Sequence, residues 1–184
     1  MLTPKKHTMH AIFSFTNSSS MDDHPPPDEQ FAIKHELFVL DTNLIHSLDQ
    51  TNMDSITRNL INDLMAALGL EPLGPLELYP AVDMRAPGWS FLQPITTSHI
   101  SGHYFEKPGR HPHLHMDIYS CDSVEWHNIV GIVDRHLGLS NWRASFIVRD
   151  WEDDGARSCL DLAGKGARVT QEILMTPARE LAFA

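Results

Sequence analysis

The stretch Gly88–Cys121, GWSFLQPITTSHISGHYFEKPGRHPHLHMDIYSC, decides the fold. Trp89 to Thr96 and His99 to Phe105 read as two strands, Lys107-Pro108-Gly109-Arg110 as a hairpin turn, and residues 113–120 as the returning strand. Upstream, Leu37-Phe38-Val39-Leu40 reads as a buried strand. Residues 54–68 form a helix, with Ile56, Leu60, Ile61, Leu64, Met65 and Leu68 on one face and Gly69 to end it. Pro72, Gly74 and Pro75 mark a turn before a strand over Leu76 to Val82, and Gly88 leads into the next.

Downstream, Asp122-Ser123-Val124-Glu125 resembles a helix N-terminus with a capping box. Val124, Ile129, Ile132, Val133 and Leu137 supply the apolar positions of that helix, Gly138 closes it, and Trp142 to Val148 is a strand. Helices that do not alternate strictly with strands predict an α+β fold, an antiparallel sheet with helices on one face. Residues 1–30, with Ser18-Ser19-Ser20 and Pro25-Pro26-Pro27, are expected to be a disordered tail. The folded domain is then 31–150, and residues 151–184 are a C-terminal extension with an acidic turn at Trp151-Glu152-Asp153-Asp154 and one helix after Thr170.

Composition narrows the function. With 42% hydrophobic residues in 184, the chain has enough apolar material for a core. A formal net charge of −10 without a basic stripe argues against a nucleic-acid partner and suits a cationic small molecule better. No apolar run reaches membrane-span length and no signal peptide is read, so the expected location is cytoplasmic and Cys121 and Cys159 are expected as free thiols.

The densest chemistry lies at Ser90, at Thr97-Ser98-His99-Ile100-Ser101-Gly102-His103, and at Asp117-Ile118-Tyr119-Ser120-Cys121, all on or at the ends of neighbouring strands. Taken singly, a serine, histidine or cysteine is ordinary packing or hydrogen bonding. Their concentration on one sheet is what makes them a candidate site. The run Arg110-His111-Pro112-His113-Leu114-His115 places three imidazoles on one face of a strand. Positions two apart splay along a strand and no carboxylate or cysteine completes a ligand set, so a solvated hairpin is expected there and no metal. Asp117, Tyr119 and Cys121 continue the same alternation.

Ser98-His99-Ile100-Ser101-Gly102-His103 resembles the Glu-Ser-His-x-x-x-His segment of prokaryotic S-adenosylmethionine decarboxylases. Asp117-Ile118-Tyr119-Ser120-Cys121 is similar to that family's Asp-x-aromatic-(Thr/Ser)-Cys strand, and Ser90 and Gly88 fall where the family has a serine and a glycine. The resemblance runs over roughly residues 35–150, specific between Ser90 and Cys121 and thin elsewhere. It implies cleavage between Thr97 and Ser98, a covalent pyruvoyl cofactor derived from Ser98, and catalytic roles for His103 and Ser90 in processing and for Cys121 as the acid. It further implies Schiff-base decarboxylation of S-adenosylmethionine for spermidine biosynthesis, in a homodimer of processed protomers with a four-layer αββα sandwich.

The chemistry asked of Ser98 is plain. Its hydroxyl attacks the Thr97 carbonyl, turning the peptide into an ester, and β-elimination then splits the chain. Three departures stand out. Thr97 replaces the family glutamate, the His103–Cys121 interval is about three residues longer, and Tyr104-Phe105-Glu106-Lys107-Pro108 replaces the family's Thr-aromatic-Pro-Glu. Phe105 is a candidate to pack on a substrate ring, though it reads equally well as core. Glu106 and Asp117 are candidates for polar contact with substrate. The departures keep two alternatives open: a pyruvoyl decarboxylase of arginine or ornithine, and an uncleaved, non-catalytic paralogue that binds or regulates a partner.

Overall fold

The computed structural model describes residues 35–106, 110–149 and 157–175. The expected tail over 1–30, most of the Lys107–Arg110 turn and the acidic turn at 151–154 lie outside them. The elements run β1 (His35–Leu44), α1 (Met53–Leu68), β2 (Glu77–Pro80), β3 (Gly88–Ile95), β4 (Ser98–Phe105), β5 (His113–Ser120), α2 (Trp126–Leu137), β6 (Leu139–Arg149), β7 (Arg157–Lys165) and β8 (Arg168–Met175). The fold is α+β: one open eight-stranded sheet in the order β2-β3-β4-β5-β1-β6-β7-β8, antiparallel at every pairing. No helix among the described residues is long and apolar enough to cross a membrane.

Period-two alternation sorts the sheet into two faces. Phe38, Leu40 and Leu44 of β1, Ile100 and Tyr104 of β4, and Leu114, Met116 and Ile118 of β5 are buried in one core. Leu60, Ile61 and Leu64 of α1 and Ile129, Val130 and Val133 of α2 join that core, so both helices cover the same face. The Trp89 indole Nε1–H donates to Thr57 Oγ1 at 2.9 Å, tying β3 to α1 where both groups are buried. Among the described residues no helix lies on the opposite face.

Leu37-Phe38-Val39-Leu40, read as a buried run, is divided between the faces. Phe38 and Leu40 are buried under the helices, while Leu37 and Val39 are half-buried on the open face. Such a run implies apolar cover on both sides of a strand, and here the described helices cover only one.

Two local expectations are corrected. The capping box over 122–125 does not form: α2 begins at Trp126, and Glu125 at its N-cap makes no side-chain capping bond. The Val124 N–H instead donates to Glu36 Oε2 of β1 at 2.6 Å, a buried tertiary contact that replaces the local one. The helix expected after Thr170 is strand β8, which pairs with β7 through a two-residue Gly166-Ala167 turn, Lys165 opposite Arg168. The β-branched Val169, Thr170 and Ile173 suit an extended chain, and β7 and β8 continue the sheet beyond β6.

Gly88 marks a close approach of two backbones. A Cβ built there would run into the Tyr104 carbonyl oxygen and lie 2.7 Å from Phe105 Cα. Gly88→Ala is therefore expected to force β3 from β4 at about 1–3 kcal/mol or more, a fall of several degrees in Tm. Gly131→Ala, inside α2 with nothing within 4 Å of the added carbon, is expected to hold or raise Tm by helix propensity. Thermal melts of the two variants check the contrast.

Candidate active site

The site forms at the tip of the β3–β4 hairpin. Ile95 and Ser98 face each other in register, leaving Thr96-Thr97 as a two-residue turn. Such turns usually use glycine or asparagine, because the favoured types need positive φ. Neither threonine takes one. The positive φ falls on Ser98, at 153°, and Ser98 is the only non-glycine residue among those described to carry one. Residues with a side chain seldom enter that region, and those that do are held there by their surroundings.

The surroundings are visible. The Thr96 N–H donates to the Glu71 carbonyl at 2.9 Å. The Thr97 carbonyl oxygen, on the peptide that joins Thr97 to Ser98, accepts from the Cys121 N–H at 3.0 Å and from Cys121 Sγ at 3.1 Å. Cys121 reaches it because Ser120, the last residue of β5, pairs with Ser98 across the ladder. A peptide carbonyl with two donors on its oxygen is set up to carry negative charge when attacked at carbon. The Ser98 hydroxyl lies 3.1 Å from His99 Nδ1.

Ser90 and His103 form a second group. They are register partners on β3 and β4, with Ser90 Oγ and His103 Nδ1 2.6 Å apart on the open face. The pair heads a polar row across five strands: Ser90, His103, His115, Asp41 and Arg143. His115 Nδ1 and the Asp41 carboxylate are hydrogen-bonded within that row. Asp117 lies one row nearer Ser98. Partial burial, then the Asp41 carboxylate, push its carboxyl above the usual range, against a smaller pull from His99, His103 and His115.

The expected residues thus divide. Thr97, Ser98 and Cys121 are brought together, and Ser90 is paired with His103. The two groups are not joined within the chain. His103 stands five residues up β4 from Ser98, roughly 17 Å of extended strand. Phe105 is on the open face against the rings of His113 and His115, at centroid distances of 3.8 and 5.5 Å. The Glu106 carboxylate accepts the phenol of buried Tyr104, and burial followed by that carboxylate pushes the phenol well up. His111 meets His113 only through its carbonyl oxygen, 3.2 Å from His113 Nδ1. Cys121 is exposed, Cys159 is half-buried, and both are free thiols.

Two contributors had no assigned role in the sequence reading. His99 is next to Ser98 in the chain, and that adjacency was the available signal. The other is the Cys121 backbone N–H, which no residue type announces. A scan against models of known protein families finds no match, and a search of curated proteins finds none either.

Proposed function

We propose that this protein cleaves itself between Thr97 and Ser98 and then acts as a pyruvoyl-dependent decarboxylase, with S-adenosylmethionine as the leading substrate and spermidine biosynthesis as the pathway it feeds. The observation that carries the reading is the strained Ser98 following a carbonyl held by Cys121 N–H and Sγ. Ser98 Oγ attacks the Thr97 carbonyl carbon, with His99 Nδ1 in reach of the hydroxyl proton. The new C–O bond replaces the C–N bond, and the proton passes to the Ser98 nitrogen. Loss of the Ser98 Cα proton and breakage of Cβ–Oγ release Thr97 as a carboxylate. The dehydroalanine left at position 98 takes up water and loses ammonia. Strain favours the first step, because the ester frees the φ of residue 98 from its peptide.

Residue 98 would hold the pyruvoyl cap with Cys121 at its border, and the cap would supply a carbonyl to take up a substrate amine and to accept the electron pair freed as CO₂ leaves. The Cys121 thiol, at the Thr97 carbonyl, borders that position and is the group that delivers a proton to it.

Ser90 and His103 enter through a second copy. A homodimer formed across the open faces buries Leu37 and Val39 and makes the four-layer αββα arrangement. A two-fold axis near the middle of β4 brings the Ser90–His103 pair of one protomer toward Ser98 of the other, which the strand length forbids within one chain.

Intact mass and a denaturing gel test the cleavage, and CO₂ release from carboxyl-labelled S-adenosylmethionine, arginine and ornithine tests the substrate. Two chains split at Thr97–Ser98, with release from S-adenosylmethionine, are expected. Release from another of the three reassigns the substrate. A lasting single chain sinks the enzyme and favours a non-catalytic, binding or regulatory role, a reading that Thr97 in place of glutamate keeps open.

A further inference from the structure

We propose that Ser120 is a positioning residue for cleavage, acting through the side chain of Thr97. The inference rests on the reading of Thr97–Ser98 as the cleavage site. Ser120 is fully buried and stands opposite Ser98 in the β4–β5 ladder. Its hydroxyl accepts the Asp122 N–H at 3.0 Å and donates to Thr97 Oγ1 at 3.0 Å. Both roles of that hydroxyl are used, and its one side-chain partner is the residue whose carbonyl is attacked.

The bond matters because the hairpin tip has a way to relax. Turning the Thr97–Ser98 peptide plane changes ψ of Thr97 and φ of Ser98 together. That motion takes Ser98 out of its φ of 153° and swings the Thr97 oxygen off Cys121. Relaxation would thus remove the strain and the carbonyl's donor in one step. A branched Thr97 side chain has few staggered χ1 states, and tying its Oγ1 to a buried group on β5 selects one of them. Thr97 is then held at both its carbonyl and its side chain, and the strained form persists. A glutamate at this position would have no β-hydroxyl for Ser120 to hold. Thr97 and Ser120 therefore work as a pair.

The test is the rate of cleavage of the full chain after synthesis, read by intact mass. Ser120→Ala and Thr97→Val are each expected to slow it roughly tenfold, about the effect of one orienting hydrogen bond on a rate. Thr97→Ser, which keeps the hydroxyl, is expected to cut near the wild-type rate. The double variant Ser120→Ala/Thr97→Val is expected to be no slower than the slower single variant, because both remove the same bond. A general structural role for Ser120 does not yield that hydroxyl-dependent contrast at Thr97. Wild-type speed in Ser120→Ala, equal rates in Thr97→Val and Thr97→Ser, or independent effects in the double variant each overturn the proposal. If Ser120→Ala does not fold, the Thr97 pair decides alone. An uncut wild-type chain overturns the cleavage reading and this inference together, whereas a cut wild type with indifferent variants overturns only this one.

Discussion

A Ser98→Ala chain is expected to keep its full mass under conditions in which the wild type separates into two chains between Thr97 and Ser98. The effect is all or none, because the hydroxyl supplies the attacking oxygen and Cys121 Sγ, the other nucleophile at that peptide, is placed as a donor to the carbonyl oxygen. His99 Nδ1 contacts that hydroxyl, and the Thr97 oxygen already has its donors from Cys121. Removing the nucleophile leaves those donors with nothing to stabilise. Ser98→Gly is also expected to stay whole, and it separates strain from chemistry. Alanine at position 98 inherits the φ of 153°, whereas glycine takes it readily. A strained position costs about 1–3 kcal/mol, against a conformational cost of glycine near 0.5–1 kcal/mol. The uncut glycine variant should therefore melt above the uncut alanine variant. Cleavage of Ser98→Ala at the same bond would falsify the mechanism. Equal melting of the two variants would mean that the unusual φ stores no energy.

Cys121→Ala is expected to cleave and yet turn over poorly. Its backbone N–H, which accounts for the 3.0 Å bond to the Thr97 oxygen, survives the substitution, so the attacked carbonyl keeps a donor. The thiol is lost, and with it the proton donor at position 98. An acid positioned for such a step contributes about 10²–10⁴-fold, and CO₂ release per mole of cut chain should fall by that order. Normalising to cut chain matters, since a modest slowing of processing from the lost Sγ contact would otherwise pass for a catalytic defect. Undiminished release per cut chain would place the acid elsewhere, with His99 the nearest described imidazole to Ser98.

The central hairpins were legible from residue order because their alternation is strong. In β4, Ile100, Gly102 and Tyr104 face the helices while His99, Ser101, His103 and Phe105 do not. β5 shows the same contrast, with Leu114, Met116 and Ile118 inward. β8 was not legible: nearly all its residues are exposed, so no period marks it as strand, and only pairing with β7 makes it one. The capping box failed for a related reason. Its local pattern was sound, but a long-range acceptor, Glu36, took the N–H of Val124.

In the site, Ser98, Thr97 and Cys121 were singled out by the resemblance, because a serine, a threonine or a cysteine taken singly is ordinary packing or hydrogen bonding. The resemblance also marked Ser90 and His103, eight and five residues from Ser98, and the strands that carry them prove adjacent. The sequence by itself therefore determined the α+β class, the hairpin that bears the site and the chemistry available to it. Only the tertiary structure decided the φ of Ser98, the backbone donor from Cys121 and the hold of Ser120 on Thr97. Those are properties of backbone direction and strand register, which long-range pairing sets and which no residue's identity encodes.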